Sequence, residues 1–170
     1  MSEHKTNSHV FHHAFRTKYP GIVPVLVSDI SIGIPTASGV GGPSTFKQFK
    51  GIWDTGATNS VITTSIVKAL NLSPCGKVWV SGVNSKELAN QYLVDIGFVM
   101  GVYFPNWLVT ESNLNSPGID ILIGMDIIHL GDFLVGNGKG SSILSFATPP
   151  IPNLVDLFEK ATQINPKKSK

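Results

Sequence analysis

An Asp-Thr-Gly tripeptide at residues 54–56 is the part of this 170-residue sequence best suited to chemistry. It follows the apolar stretch Gly51-Ile52-Trp53, which predicts that Asp54 lies on a tight, buried turn at the end of a strand. Gly56 lets the backbone pass close to the carboxylate, and Thr55 can hydrogen-bond locally to stiffen the turn. A carboxylate held in this way can act as a general acid or base, but the same tripeptide also occurs in ordinary loops.

A second segment, from Asp120 to Ile128, makes the first one more informative. Its short apolar strand runs through Leu122 and Ile123 into Gly124 and then into residues that favour a helical turn. By itself this pattern predicts a buried strand followed by a bend and a helix turn. It lies well downstream of the first segment, with a predicted hairpin between them.

In order and spacing, the two segments resemble those of the retropepsin family, the retroviral-type aspartic proteases. The resemblance covers about residues 22 to 148. In that family an apolar-apolar-Gly strand, here Leu122-Ile123-Gly124, passes close to the catalytic loop and precedes the short helix of the fold. The resemblance implies an all-β fold class: a closed β-barrel-like retropepsin (acid protease) fold with one or two short helices, assembled as a two-fold homodimer.

The same resemblance implies an aspartic endopeptidase whose catalytic residues are Asp54, Thr55 and Gly56. The reaction needs two carboxylates sharing a proton, since one removes a proton from water while the other donates a proton to the scissile carbonyl. The chain has a single Asp-Thr-Gly, and neither Asp120 nor Asp126 precedes a Thr/Ser-Gly pair. We therefore expect a homodimer in which Asp54 faces its symmetry mate, with activity that is bell-shaped in pH and leans towards acid.

Other site residues follow from the resemblance alone. The substrate-binding residues would be Ala57, Thr58, Gly82, Val83 and Asn84. The last three lie at the tip of a predicted hairpin that corresponds to the flap, which closes over the peptide or protein substrate in retropepsins; a plain surface hairpin is the alternative. Thr55 would reach across to the partner chain, and Gly56 would offer its carbonyl to the substrate backbone.

The sequence departs from the retroviral enzymes just after the catalytic turn. Those enzymes often place acidic residues there and an arginine after the apolar-Gly strand, whereas this chain has Thr58, Asn59 and Met125. Neutral residues thus stand where the retroviral enzymes can form stabilising charged interactions. The substitution suggests a different way of steadying the dimer and a cleft that selects less for charge.

Composition excludes several classes of protein. A hydrophobic content of 42% with many glycines and prolines suits one loop-rich β domain, and a net charge of +2 without a basic stripe predicts no nucleic-acid partner. The single cysteine, Cys75, excludes an intramolecular disulfide and suits a reducing, cytoplasmic location. No apolar run approaches the roughly 18 residues of a membrane span, so no membrane partner is expected. Nothing in the sequence calls for a cofactor, and a start at Met1 without a polyprotein flank favours a free-standing gene.

Apolar periodicity and turn residues predict the elements that position the site. Strands are predicted over residues 22–34, 46–53, 61–62, 77–84, 92–98, 107–110, 119–123, 132–135 and 143–146, with helices over 65–70 and 154–161. The 77–84 and 92–98 strands form the flap hairpin. The second helix, capped by Asn153, is amphipathic and lies outside the family pattern.

Three segments are expected: a flexible His-rich N-terminal arm over 1–21, a retropepsin-like protease domain over 22–148, and a C-terminal extension with a short helix over 149–170. His4, His9, His12 and His13 raise the possibility of a metal site. No carboxylate or thiol set accompanies them, so we expect no metal and favour a flexible or partner-docking arm.

Two other readings of the sequence are open. The chain could be a catalytically inactive retropepsin-fold module for peptide binding or dimerisation. Intact Asp54, Thr55 and Gly56 argue against that, because a scaffold has no reason to keep a costly buried carboxylate. It could also be an unrelated β-barrel with a chance Asp-Thr-Gly, which would form no dimer through the Asp54 loop.

Overall fold

The computed structural model describes residues 10–35, 45–81, 86–99, 101–152 and 156–164. Within these ranges the chain forms ten strands, three α-helices and one short 3-10 helix, Gly138–Gly140. The strands are β1 (His13–Lys18), β2 (Val27–Gly33), β3 (Phe46–Trp53), β4 (Val61–Ile62), β5 (Gly76–Ser81), β6 (Lys86–Phe98), β7 (Val102–Glu111), β8 (Ile121–Ile123), β9 (Asp132–Gly136) and β10 (Ile143–Thr148). The helices are α1 (Thr64–Leu70), α2 (Met125–Ile128) and α3 (Leu157–Ile164). No helix in the described ranges is long and apolar enough to span a membrane.

Six strands form a closed barrel in the order β2-β3-β8-β4-β7-β6, and pairing between β6 and β2 completes the ring. The long strand β6 also pairs with β5 through its first half, so it belongs to both the barrel and a projecting hairpin. Most pairings are antiparallel, but β3–β8 and β4–β7 are parallel. The prediction of a mostly β, closed-barrel protein with few short helices is confirmed.

Strands β1, β10 and β9 form a separate antiparallel sheet. Phe15 in β1 lies opposite Phe146 in β10, which in turn lies opposite Phe133 in β9. Phe15 is 9% exposed, and its ring stacks on that of Phe98 with the centroids 5.8 Å apart. Within the predicted N-terminal arm over 1–21, residues 13–18 thus form a strand that one buried aromatic side chain and the β10 pairing attach to the body of the protein.

An aromatic cluster around Trp53 holds the barrel and the second sheet together. The Trp53 ring lies 5.3–5.9 Å, between centroids, from four other rings, those of Phe15, Phe98, Phe133 and Phe146. Its indole Nε1 donates a hydrogen bond of 3.0 Å to Oγ of Ser28. Burying a large apolar side chain contributes roughly 1.5–3 kcal/mol. The residue immediately before Asp54 is thus among the most firmly held in the chain.

The predicted strand limits differ from the observed ones where exposed residues continue an apolar pattern. β2 begins at Val27 and not at residue 22, because Ile22 and Val25 are exposed outside the barrel. β6 and β7 are longer than predicted, since β6 extends into the polar hairpin and β7 includes exposed residues that break the pattern. Tertiary pairing has overridden local propensity in these strands.

The C-terminal helix lies later than predicted. α3 covers Leu157–Ile164, and its first turn is capped by Oδ1 of Asp156, which accepts hydrogen bonds from the amides of Phe158 (2.8 Å) and Glu159 (3.1 Å). The predicted cap, Asn153, lies outside the described residues. The apolar side chains of α3 are exposed, with Phe158 at 81%.

Candidate active site

The turn that follows β3 places Asp54 between β3 and β8. The Asp54 amide donates a hydrogen bond of 3.0 Å to the carbonyl of Ile123, and its own carbonyl accepts one of 3.3 Å from the amide of Ala57. The Gly56 amide donates a hydrogen bond of 2.8 Å to Oδ1 of Asp54. The half-buried carboxylate is therefore fixed both by the strand behind it and by its own turn.

Gly56 lies close to that carboxylate, as the sequence predicts. A Cβ atom built at Gly56 would be 3.2 Å from Oδ1 of Asp54, a contact tighter than most side chains make. The glycine therefore lets the amide approach the carboxylate without crowding. Thr55 and Thr58 are exposed and Ala57 is half-buried, so the surface around the carboxylate is open to a ligand.

Gly124 brings the start of α2 against the segment that follows the Asp54 turn. The amide of Met125 donates to the carbonyl of Ala57 (2.8 Å), and that of Asp126 donates to the carbonyl of Thr58 (3.1 Å). A Cβ atom at Gly124 would lie 2.7 Å from the backbone of Asn59, which real Cβ atoms do not tolerate. The structure thus brings the two sequence segments together through backbone hydrogen bonds that require the glycine.

The side-chain carboxylate of Asp126 is also hydrogen-bonded. It accepts hydrogen bonds from the amide and hydroxyl of Ser60 (3.0 and 2.8 Å), from Nε1 of Trp107 (2.9 Å) and from the amide of Ile127 (3.0 Å). Asp120 accepts a hydrogen bond of 2.7 Å from the hydroxyl of Ser65, at the start of α1. Neither arrangement favours these residues as a second catalytic acid within one chain.

An apolar row lies beside the Asp54 turn. Ile52 in β3 is in register with Leu122 in β8, which pairs in turn with Val61 in β4, and all three are half-buried. Because side chains alternate along a strand, Ile52 and Asp54 point to the same face, and the row lies on that face. Leu122 was predicted only as part of the structural motif, and Ile52 and Val61 were not predicted as site residues, since their proximity depends on strand register.

The predicted flap corresponds to the hairpin of β5 and β6. The strands pair from Gly76 opposite Gln91 to Ser81 opposite Lys86. Its tip, including the predicted contact residues Gly82, Val83 and Asn84, lies outside the described residues. The hairpin itself is confirmed, and its role as a flap stays a prediction.

A polar cluster lies where this hairpin joins the barrel. The carboxylate of Glu111 accepts hydrogen bonds from Thr64 (2.8 Å), Asn90 (3.1 Å) and the buried phenol of Tyr92 (2.9 Å). Burial alone would raise the pKa of Glu111, but the three hydrogen bonds and the charge of Lys68 outweigh it and leave that pKa below its ordinary value. Burial and the neighbouring carboxylate raise the pKa of Tyr92, which keeps its phenol a proton donor.

The described residues contain no group of three or more His, Cys, Asp or Glu side chains arranged to hold a metal ion. Of the four N-terminal histidines, His12 and His13 are exposed, and Nδ1 of His12 lies 3.0 Å from the carbonyl of Pro149. His4 and His9 lie outside the described residues.

Comparison with known proteins adds a family match. A family model described as "Aspartyl protease" matches residues 39–127, which include the catalytic turn, the hairpin and β8. No curated protein matches the chain. A retropepsin-like aspartic protease from Rickettsia conorii is similar in structure, with 16% identity over 81% of this chain and 96% of that one and a TM-score of 0.47. The retroviral protease-like domain of Ddi1 from Leishmania major shares 17% identity over 62% of this chain and 78% of its own, with a TM-score of 0.36.

Proposed function

The chain belongs to the aspartyl protease family, and from that membership we propose that it is an aspartic endopeptidase which hydrolyses peptide bonds between the two Asp54 carboxylates of a homodimer. The observation that carries the proposal is the geometry of Asp54. Its carboxylate is half-buried, fixed through Oδ1 by the Gly56 amide, and placed on the open face beside an apolar row. This is the arrangement that acid–base hydrolysis requires of each chain.

The proposed chemistry uses one ionised and one protonated Asp54. The ionised carboxylate takes a proton from a water molecule, and the resulting hydroxide attacks the scissile carbonyl carbon. The protonated carboxylate gives its proton to the carbonyl oxygen, which yields a tetrahedral diol. Proton transfer to the amide nitrogen then allows the C–N bond to break. The Gly56 amide supports this cycle by holding Oδ1 in place in both protonation states.

The homodimer supplies the second carboxylate. The sequence has one Asp-Thr-Gly, and Asp120 and Asp126 are committed to serine and tryptophan partners. A two-fold axis next to the exposed Thr55 would bring two Asp54 turns together, with each Thr55 contacting the partner chain.

The substrate is proposed to be an extended peptide with apolar side chains next to the scissile bond. The row of Ile52, Leu122 and Val61 supports this, because a half-buried apolar surface beside the carboxylate favours apolar ligand groups. Ala57 and Thr58 would contact the peptide backbone, and Gly82, Val83 and Asn84 would cover it from the flap. Gly56 would offer its carbonyl to the peptide.

The test is incubation with a mixed peptide library at acidic and neutral pH, comparing wild type with Asp54→Asn. Asp29→Asn is the matched control, since it makes the same change on the exposed face of β2, where Asp29 pairs with Lys50. We expect cleavage by wild type and by the control, and none by Asp54→Asn with its fold intact. A wild type that binds peptides without cleaving them would support the inactive binding module instead.

A further inference from the structure

The carboxylate of Asp126 accepts hydrogen bonds from three N–H groups, which can only donate, and from one hydroxyl, which can also accept. Oδ2 accepts from the Ser60 amide and from Nε1 of Trp107, while Oδ1 accepts from the Ser60 hydroxyl and from the Ile127 amide. A carboxylate is acceptor-only, whereas an asparagine side chain would turn an N–H₂ group towards one of these pairs. The four donors therefore suit the carboxylate of aspartate. The amide of an asparagine, which has the same shape, would leave some of these donors without an acceptor.

These donors come from three different parts of the fold. Ser60 follows the Asp54 turn, Trp107 lies in β7, and Ile127 lies in α2, directly after Asp126. Ser60 is 0% exposed, and its hydroxyl also accepts a hydrogen bond of 3.1 Å from the amide of Gly124. Asp126 thus joins the catalytic segment to the barrel wall through a single side chain.

Ser60 connects this hydrogen-bond network to the turn that carries Asp54. Residues 57–60 continue directly from the Asp54 turn, and the α2 backbone already holds the carbonyls of Ala57 and Thr58. The Asp126 carboxylate adds two hydrogen bonds at the end of the same segment. Thr58 and Met125 are neutral, so these two residues cannot form an ion pair with each other. The charge-assisted hydrogen bonds that attach residues 57–60 to α2 therefore come from the carboxylate of Asp126.

We propose that Asp126 is a positioning residue, which sets the geometry of the Asp54 turn and of the adjoining substrate-binding segment by anchoring Ser60 to Trp107. This proposal rests on the function proposed above. A displacement of about 1 Å at a catalytic group can cost on the order of a hundredfold in rate, so loss of the anchor should affect turnover more than folding.

Asp95 provides a matched control for a purely structural role. Asp95 is 3% exposed, whereas Asp126 is half-buried, and Oδ1 of Asp95 accepts a hydrogen bond of 2.8 Å from the amide of Asn106 at the bulge between β6 and β7. Asp95→Asn removes the same charge from the interior without touching residues 54–60. Both variants should lower thermal stability.

The experiment measures kcat and KM for Asp126→Asn, Asp95→Asn and Trp107→Phe with one cleaved peptide, well below the melting temperature of each. We expect kcat to fall about ten- to hundredfold in Asp126→Asn, by less in Trp107→Phe, and not in Asp95→Asn. The Trp107 and Asp126 changes should be non-additive when combined. Equal kcat losses in Asp126→Asn and Asp95→Asn, or no loss in either, would overturn the proposal.

Amide hydrogen exchange on the same variants separates this proposal from the proposed function. Asp126→Asn should speed exchange across residues 55–60, and Asp95→Asn should not. If wild type cleaves no peptide, the proposed function fails, and the exchange pattern still decides whether Asp126 positions this segment. Unchanged exchange at residues 55–60 would refute the positioning role by itself.

Discussion

The phenol of Tyr92 in β6 donates a hydrogen bond of 2.9 Å to Oε2 of Glu111 in β7, and β6 continues from this point into the proposed flap hairpin with β5. Asn90 and Thr64 complete the shell around the carboxylate, so that β6, β7 and α1 meet at one ionised group. The base of the hairpin therefore depends on Glu111 remaining charged.

Acid should weaken this junction. The pKa of Glu111 is lower in the folded protein than its ordinary value of 4.5, so its ionised form contributes stability above that value and loses it as the pH falls through the folded-state pKa. Urea unfolding from pH 7 to pH 3 should show wild type losing stability at the acid end. Glu111→Gln should be less stable at pH 7 and show a shallower loss, whereas Glu159→Gln in the exposed helix α3 should follow wild type. Parallel curves for wild type and Glu111→Gln would contradict the prediction.

Gly124→Ala should destabilise the protein by roughly 1–3 kcal/mol, because the new methyl group would lie 2.7 Å from the backbone of Asn59. Gly138→Ala is the control, as a Cβ there meets nothing within 4 Å. Chemical denaturation measures both, and we expect the control to remain close to wild type. Similar losses in both variants would show that the close approach at Gly124 is not the cause.

Activity should depend on assembly, since each chain supplies one Asp54 turn. Specific activity should fall on dilution below the dimer dissociation constant, in step with the mass measured by light scattering or mass photometry. Excess Asp54→Asn chains should depress wild-type activity by forming mixed dimers. A monomer with undiminished turnover per chain would exclude the two-chain mechanism.

Substrate binding should protect the tip of the β5–β6 hairpin. Hydrogen exchange at residues 82–84 should slow when a non-cleavable peptide that mimics the tetrahedral intermediate binds. The comparison region is the hairpin of β9 and β10, which lies in the other sheet and should not respond. Protection confined to other residues would place the flap elsewhere.

The turn at Asp54 and the β8–α2 segment were predicted well from the sequence because each depends on local chemistry. An Asp before Thr-Gly, and two apolar residues before Gly124, specify a turn and a bend without reference to distant residues. The structure then joins them through backbone hydrogen bonds, which the small residue Gly124 permits. The family resemblance stated from these residues is confirmed by the family match.

The missed features depend on contacts between distant parts of the chain. In β1 only Phe15 is buried, and its neighbours are mostly exposed and polar. The local sequence pattern of β1 therefore resembles that of a flexible arm. Asp126 was weighed as a second acid, because nothing near it in sequence reveals Ser60 or Trp107 as partners. An Asp two positions after a glycine at a helix start does indicate a capping or anchoring role, and that was the available signal.

The parallel pairing of β3 with β8 also bears on when the site comes into existence. Residue 51 pairs with residue 121, so the support behind Asp54 has a high contact order and cannot form until most of the barrel has been synthesised. Domains generally fold as units during synthesis, with long-range strand pairing among the slower steps. A nascent chain therefore carries its Asp-Thr-Gly without the support of β8, and the proposed hydrolytic site forms only when the barrel closes.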